Sequence, residues 1–334
     1  MTALAERSRK AAAPARLAGG RGLTIGLVNN MPDAALCATE RQFAGLLAEA
    51  ADGAEIELRL YALPGVRRGP EARALVNARY ESVAALADAG LDGLIVTGLE
   101  PRAADLRDEA YWPALAQLVD WTEDAGVPTA WSCLAAHAAV LRLDGVRRRP
   151  LAAKLSGVFA SEAVSDDPLV AGAASPMLTP HSRLNGLAAD ELVRAGYDVL
   201  THSAAAGVDA FVRRGRGSAL FLQGHPEYDA DTLAREYLRD VGRFLDGRRS
   251  QHPRPPTGYF DAETEARLGA LTAASQAAPD PARAALYAAV AGRVAAQQTW
   301  RPAAVRLYRN WLAEAAERSQ ATPWTDRSFV GPAA

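Results

Sequence analysis

Short apolar runs alternate with amphipathic stretches through the first half of this chain, and that rhythm restricts the fold more than any other feature. Residues 23–29 (LTIGLVN), 91–97 (LDGLIVT) and 127–132 (VPTAWS) each have strand length and end in small or polar residues. Such runs read as strands buried on both faces. A further strand is expected over 56–63. Helices are expected over 39–51, with Thr39 as N-cap and Phe43, Leu46 and Leu47 on one face, over 80–89 after a Pro/Gly/Arg-rich loop, over 109–124, and over 134–143, closed near Gly145. Alternation of this kind implies an α/β fold, a doubly wound, mostly parallel sheet flanked by helices as in flavodoxin-like proteins. Sites in such sheets lie beyond the carboxyl ends of the strands. Asn29, Gly98, Cys133 and His225 fall there.

The second half differs. Residues 210–214 and 219–223 flank an Arg-Gly-Arg-Gly turn and read as a hairpin, followed by a helix over 229–245. Residues 252–256 (HPRPP) form a Pro-rich linker, and 262–318 is Ala-rich and helical. Three parts are therefore expected. Residues 1–21 form a disordered leader, 22–250 a catalytic α/β domain, and 251–334 a linker with a helical C-terminal extension packing on the core.

Composition excludes several classes. A net charge of -2 over 334 residues does not suit a nucleic-acid binder. Two cysteines, Cys37 and Cys133, give no disulfide framework, which points to a reducing, cytoplasmic setting. No apolar run approaches the ~18 residues that span a bilayer. Lysine occurs only as Lys10 and Lys154, so a lysine within the folded body stands out in a chain that otherwise uses arginine.

Cys133 lies where a strand meets a helix. Such a turn lifts a nucleophile out of the sheet, and the helix N-terminus favours a thiolate. An isolated cysteine is more often a buried, inert side chain. His225 and Glu227 change that balance. Two residues apart at a strand end, they project to one side, so Glu227 can orient the imidazole and His225 can face the thiol. Nucleophile, base and orienter are then all present.

The segments Asn30-Met31-Pro32, Thr39-Glu40-Arg41-Gln42-Phe43, Asp92-Gly93-Leu94-Ile95-Val96-Thr97-Gly98, Lys154-Leu155-Ser156-Gly157-Val158, Pro180-His181-Ser182-Arg183 and Gly224-His225-Pro226-Glu227-Tyr228-Asp229 resemble the homoserine O-acyltransferase family, the O-succinyl- and O-acetyltransferases of methionine biosynthesis. The resemblance covers roughly residues 22–316. It implies a class I glutamine-amidotransferase-like fold, a homodimer, acyl-CoA and L-homoserine as substrates, and no permanently bound cofactor or metal. It also implies a ping-pong reaction in which Cys133 takes the acyl group, with His225 as base and Glu227 holding its tautomer. The oxyanion would rest on the backbone N–H of Leu134 and one from the Asn30-Met31 loop. Arg239 would bind the acceptor carboxylate and Glu236 its ammonium, and Lys154, Ser182 and Arg183 fall at active-site positions.

The chain departs from the family pattern in two places, and from amidotransferases proper in a third. The loop after Met31-Pro32 is about two residues longer and carries no lysine. Cys37 within it is expected to be passive. Arg102 stands at the acyl-selecting position, where a small residue goes with succinyl transfer and an acidic one with acetyl transfer. A cation there should attract a dicarboxylic acyl group, so succinyl-CoA is the expected donor, with acetyl transfer and a serine acceptor as alternatives. Trp131-Ser132-Cys133-Leu134-Ala135 also lacks the glycines that flank an amidotransferase cysteine, which argues against glutamine hydrolysis.

Overall fold

The computed structural model describes residues 22–292 and 298–321; the leader expected over 1–21 lies outside them. Strands β1 (Leu23–Val28), β2 (Ile56–Ala62), β3 (Glu81–Ser82), β4 (Gly93–Val96) and β5 (Thr129–Ser132) form a parallel array, with helices α1 (Leu36–Ala50), α2 (Pro70–Arg79) and α3 (Trp112–Ala125) between them and α4 (Leu134–Asp144) after β5. The chain then leaves this layer as a long antiparallel pair, β6 (Arg149–Ala163) and β7 (Met177–Gly186). After α5 (Ala189–Arg194) come the short strands β8 (Asp198–Val199), β9 (Thr201–Ser203) and β10 (Gly207–Val208), then β11 (Ala210–Arg214) and β12 (Ser218–Leu222). The main sheet runs β3-β2-β1-β4-β5-β12-β11-β8, and β12 joins it parallel to β5. A second sheet runs β10-β9-β6-β7.

Both faces of the sheet's centre are covered, which is why β1, β4 and β5 read as apolar runs. Alternate residues of β4 show the division. Leu94 and Val96 pack with Leu118, Val119 and Trp131 on one side; Ile95 packs with Ile25, Leu27 and Phe43 on the other. Helix α6 (Thr232–Leu245) carries Tyr237, Val241 and Phe244 against Leu268 of α7 (Ala262–Ala277) and Tyr287 of α8 (Ala284–Ala291). Helix α9 (Arg301–Ala321) returns to the main core, burying Leu307, Tyr308 and Trp311.

Two local expectations are corrected, a third is refined, and one element is new. Thr39 does not cap a helix; a 3-10 turn over Asp33–Ala35 starts α1 earlier and leaves Thr39 buried inside it. Residues 80–89 are not α-helical. Glu81 pairs with Tyr61 at the sheet edge, and Ser82 Oγ accepts the Ala84 N–H to start a 3-10 turn. The helix lies one segment earlier, because Pro70 sits at its N-terminus, where a missing N–H costs nothing. The stretch 262–318 is divided into three helices, α7, α8 and α9. The β6–β7 pair, the longest in the protein's described residues, had no counterpart in the sequence reading.

Candidate active site

The turn from β5 into α4 holds Cys133 at φ 53°, ψ -113°, a conformation β-carbon-bearing residues rarely adopt. Its N–H donates to Leu222 O of the neighbouring β12 at 2.7 Å. The thiol is free and partly exposed. The residues after β12 bring His225 beside it, with the His225 N–H anchored on Pro180 O of β7 at 2.7 Å. His225 Nδ1 lies 2.8 Å from Glu227 Oε1, and the imidazole and the Cys133 thiol line the same cleft. The pair was expected from strand alternation. A turn achieves it instead, closed by Tyr228 N–H on His225 O at 3.2 Å, with the Tyr228 ring stacked on the imidazole at 4.3 Å.

His225 and Glu227 are both buried. Burial alone would disfavour the imidazolium. The charges of Cys133 and Glu227, with the Glu227 hydrogen bond, outweigh it, holding His225 well above its usual range. Burial also keeps Tyr228 protonated, reinforced by Glu236 and Glu227.

Cys133, His225 and Glu227 line a cleft of about 240 Å³ at the strand ends. Met31, Leu134, Lys154, Ser182, Arg183, Glu236 and Arg239 line it too, so most residues singled out from sequence converge here. Glu236 is the hub on the far wall. It accepts from Ser182 Oγ and from Tyr228 OH (2.9 Å), and Lys154 Nζ lies 3.9 Å away. Lys154 binds Asp240 more closely, at 2.9 Å, and Arg239 Nε reaches the other oxygen of Asp240 at 3.1 Å. Glu236 and Arg239 therefore face the cleft, not one another across a solvated surface. Arg183 is buried, and its guanidinium is engaged by His181 Nδ1 (3.2 Å), Asn185 O (2.7 Å) and Ala206 O (2.5 Å).

Two positions are corrected. Asn30 does not line the cleft, and its N–H is held by Thr97 Oγ1 at 2.8 Å; Met31 N–H is likewise turned to Asn29 Oδ1 at 3.2 Å. The backbone that closes on Leu134 is Gly98, where an added Cβ would sit 2.7 Å from Leu134 N. Arg102 is exposed and outside the cleft, with its N–H on Glu109 Oε1 at 2.5 Å; its neighbours Glu100 and Pro101 supply the wall.

Sequence reasoning passed over three cleft or near-cleft groups. Tyr228 stood inside a quoted motif without a role. Asp240, which ties Lys154 to Arg239, lies in a helical run whose acid had no stated purpose. Arg148 is half-buried in the cleft wall, and its NH2 group bonds Ala104 O at 3.2 Å, with no carboxylate partner among the described residues. Cys37 is exposed and does not line the cleft. No described cluster of His, Cys, Asp and Glu could hold a metal.

Fold and site define an α/β protein with a doubly wound sheet and a strand-end cleft that gathers a thiol, an imidazole and three carboxylates. The chain belongs to the homoserine O-succinyltransferase family, an acyltransferase family whose model matches residues 9–323. It is 52% identical over 299 residues to a homoserine O-succinyltransferase of Rhodopseudomonas palustris, covering 90% of each chain. A homoserine O-succinyltransferase of Methylorubrum extorquens is 52% identical over 298 residues, covering 89% of this chain and 88% of that one. Among solved structures, a glutamine amidotransferase from Thermotoga maritima superposes with a TM-score of 0.46 at 14% identity, covering 88% of this chain and 98% of its own.

Proposed function

We propose that this protein moves the succinyl group of succinyl-CoA to the hydroxyl of L-homoserine through a thioester on Cys133. The observation that carries the reading is the convergence, in one cleft, of the Cys133–His225–Glu227 chain and the Glu236–Arg239 wall. In the first half-reaction Cys133 Sγ attacks the thioester carbonyl, the bond from that carbon to the CoA sulfur breaks, and His225 protonates the departing thiolate. In the second, His225 takes the homoserine hydroxyl proton, the oxygen attacks the acyl-enzyme, and Cys133 leaves as thiolate. Glu227 holds the imidazole in the tautomer both steps require. The Leu134 N–H, at the start of α4, stabilises the oxyanion, with the Gly98–Leu99 backbone facing it.

The acceptor's ammonium suits Glu236, and its carboxylate suits the Arg239 guanidinium, which Asp240 steadies. For the distal carboxylate of the succinyl group, Arg148 is the cleft cation that forms no close ion pair among the described residues, though Glu109 and Asp105 act on its charge, and it lacks Arg183's web of carbonyl bonds. An acetyl group would leave that guanidinium unused. The enzyme is proposed to act as a homodimer in the cytoplasm, as the family resemblance implies. No described helix is long and apolar enough to cross a membrane.

Steady-state kinetics with succinyl-CoA and homoserine test the scheme. A ping-pong reaction gives parallel double-reciprocal lines. Converging lines, or glutamine hydrolysis in place of transfer, would contradict it.

A further inference from the structure

A second cavity, of about 470 Å³, opens beside the cleft at the same strand ends. Leu63, Pro64 and Gly65 wall it after β2, and Arg67, Arg68 and Arg73 line it toward α2. One residue joins the two spaces. Arg68 donates to Met31 O and, at 3.1 Å, to Asn29 O, and Met31 lines the cleft. Gly65, at φ 83°, lies so close to the Ala110-Tyr111 backbone that a Cβ would come 2.5 Å from Ala110 O, which seats this wall against the segment following the cleft's Glu100 and Pro101.

The charges in this cavity are not balanced. Asp33 pairs with Arg68 at 3.3 Å. Arg67 and Arg73 are exposed and have no carboxylate partner among the described residues; Arg73 bonds only Arg68 O, at 3.1 Å. Some exposed arginines sit against acids, as Arg107 does on Asp105, Arg142 on Asp120 and Arg149 on Glu191, whereas others, such as Arg41, Arg216 and Arg254, form no ion pair among the described residues; Arg67 and Arg73 differ from these in lining one cavity together. The cleft itself, at about 240 Å³, is smaller than ordinary small-molecule sites of roughly 300–1,000 Å³.

We propose that this second cavity binds the phosphorylated adenosine end of acyl-CoA, with Arg67 and Arg73 as its phosphate ligands, while the thioester reaches past Met31 to Cys133. Guanidinium forks match phosphate oxygens bidentately. The inference rests on acyl-CoA being the donor, as proposed above.

The test compares the wild type with the double variant Arg67→Glu/Arg73→Glu on two donors, succinyl-CoA and the truncated succinyl-pantetheine, with direct titration of adenosine 3′,5′-bisphosphate as an activity-independent readout. The expected result is a KM for succinyl-CoA raised at least about tenfold, with kcat and the succinyl-pantetheine kinetics unchanged and the nucleotide no longer bound. Equal effects on both donors, no effect on either, or undiminished nucleotide binding by the variant would overturn the assignment. A wild type that uses neither donor yet binds the nucleotide, and loses it in the variant, would overturn the acyl-transfer reading while supporting the cavity's role.

Discussion

Cys133 sits in a strained backbone state that presents its thiol to an imidazole already biased toward its charged form. If the Cys133 thiolate supplies that bias, Cys133→Ser should lower the His225 pKa. NMR titration of the imidazole checks this; an unchanged midpoint would mean that Glu227 alone sets it. Glu227→Gln should reduce kcat about 10²–10⁴-fold by releasing the tautomer, with the fold retained by circular dichroism. Arg148→Ala should raise the KM for succinyl-CoA about tenfold or more and leave acetyl-CoA little changed. His137 is a different case. Burial pushes its imidazole down to about 4, despite a bond to Gln223 Oε1. The unfolded chain, with an ordinary value near 6.5, binds the proton first as pH falls. His137 therefore costs the native state up to about 3 kcal/mol between pH ~6.5 and ~4. Urea midpoints of the wild type should fall faster over that window than those of His137→Leu.

At the scale of elements, β6 is joined to the chain beyond α6 through a parallel bridge, Gly157 to Thr257. Gly157 has φ 149°, and a Cβ there would lie 2.3 Å from Thr257 O. Gly157→Ala should cost about 1–3 kcal/mol or more in urea unfolding and loosen the wall that carries Lys154. The same element shows where sequence reading ends. The central strands β1, β4, β5 and β12 were legible because both their faces are buried, so hydrophobic runs reveal them directly, whereas the short edge strands β3 and β8 carry no such run. β6 is largely exposed over its first half and carries an irregularity between Pro150 and Leu155, and the alternately buried positions of its second half are Gly157, Phe159 and Ser161, so hydrophobicity shows no period of two. The site divides in the same way. Cys133, His225 and Glu227 were legible because topology puts strand ends together. Arg102 was misplaced because counting along a loop says nothing about which side chain turns inward. Arg148 was passed over because its place in the cleft wall is set by segments far away in sequence, such as Ala104, whose carbonyl it bonds.

At the scale of the whole molecule, the far C-terminal helix closes the core under the first strands. Trp311 is fully buried against Gly93, and Asn310 Nδ2 ties α9 to Leu169 O and Ala171 O at 3.0 and 2.9 Å. Trp311→Ala should cost about 3–5 kcal/mol in stability, read from the urea midpoint, though the residue is remote from the cleft. The claim on which everything else depends is that Cys133 carries the acyl group between two half-reactions. Mass spectrometry of the intact protein, mixed briefly with succinyl-CoA and no acceptor, tests it most directly. The account predicts a gain of one succinyl group that disappears on adding homoserine and never forms on Cys133→Ala. An unmodified wild type that still transfers the acyl group at full rate, or an adduct that persists in Cys133→Ala, would contradict it.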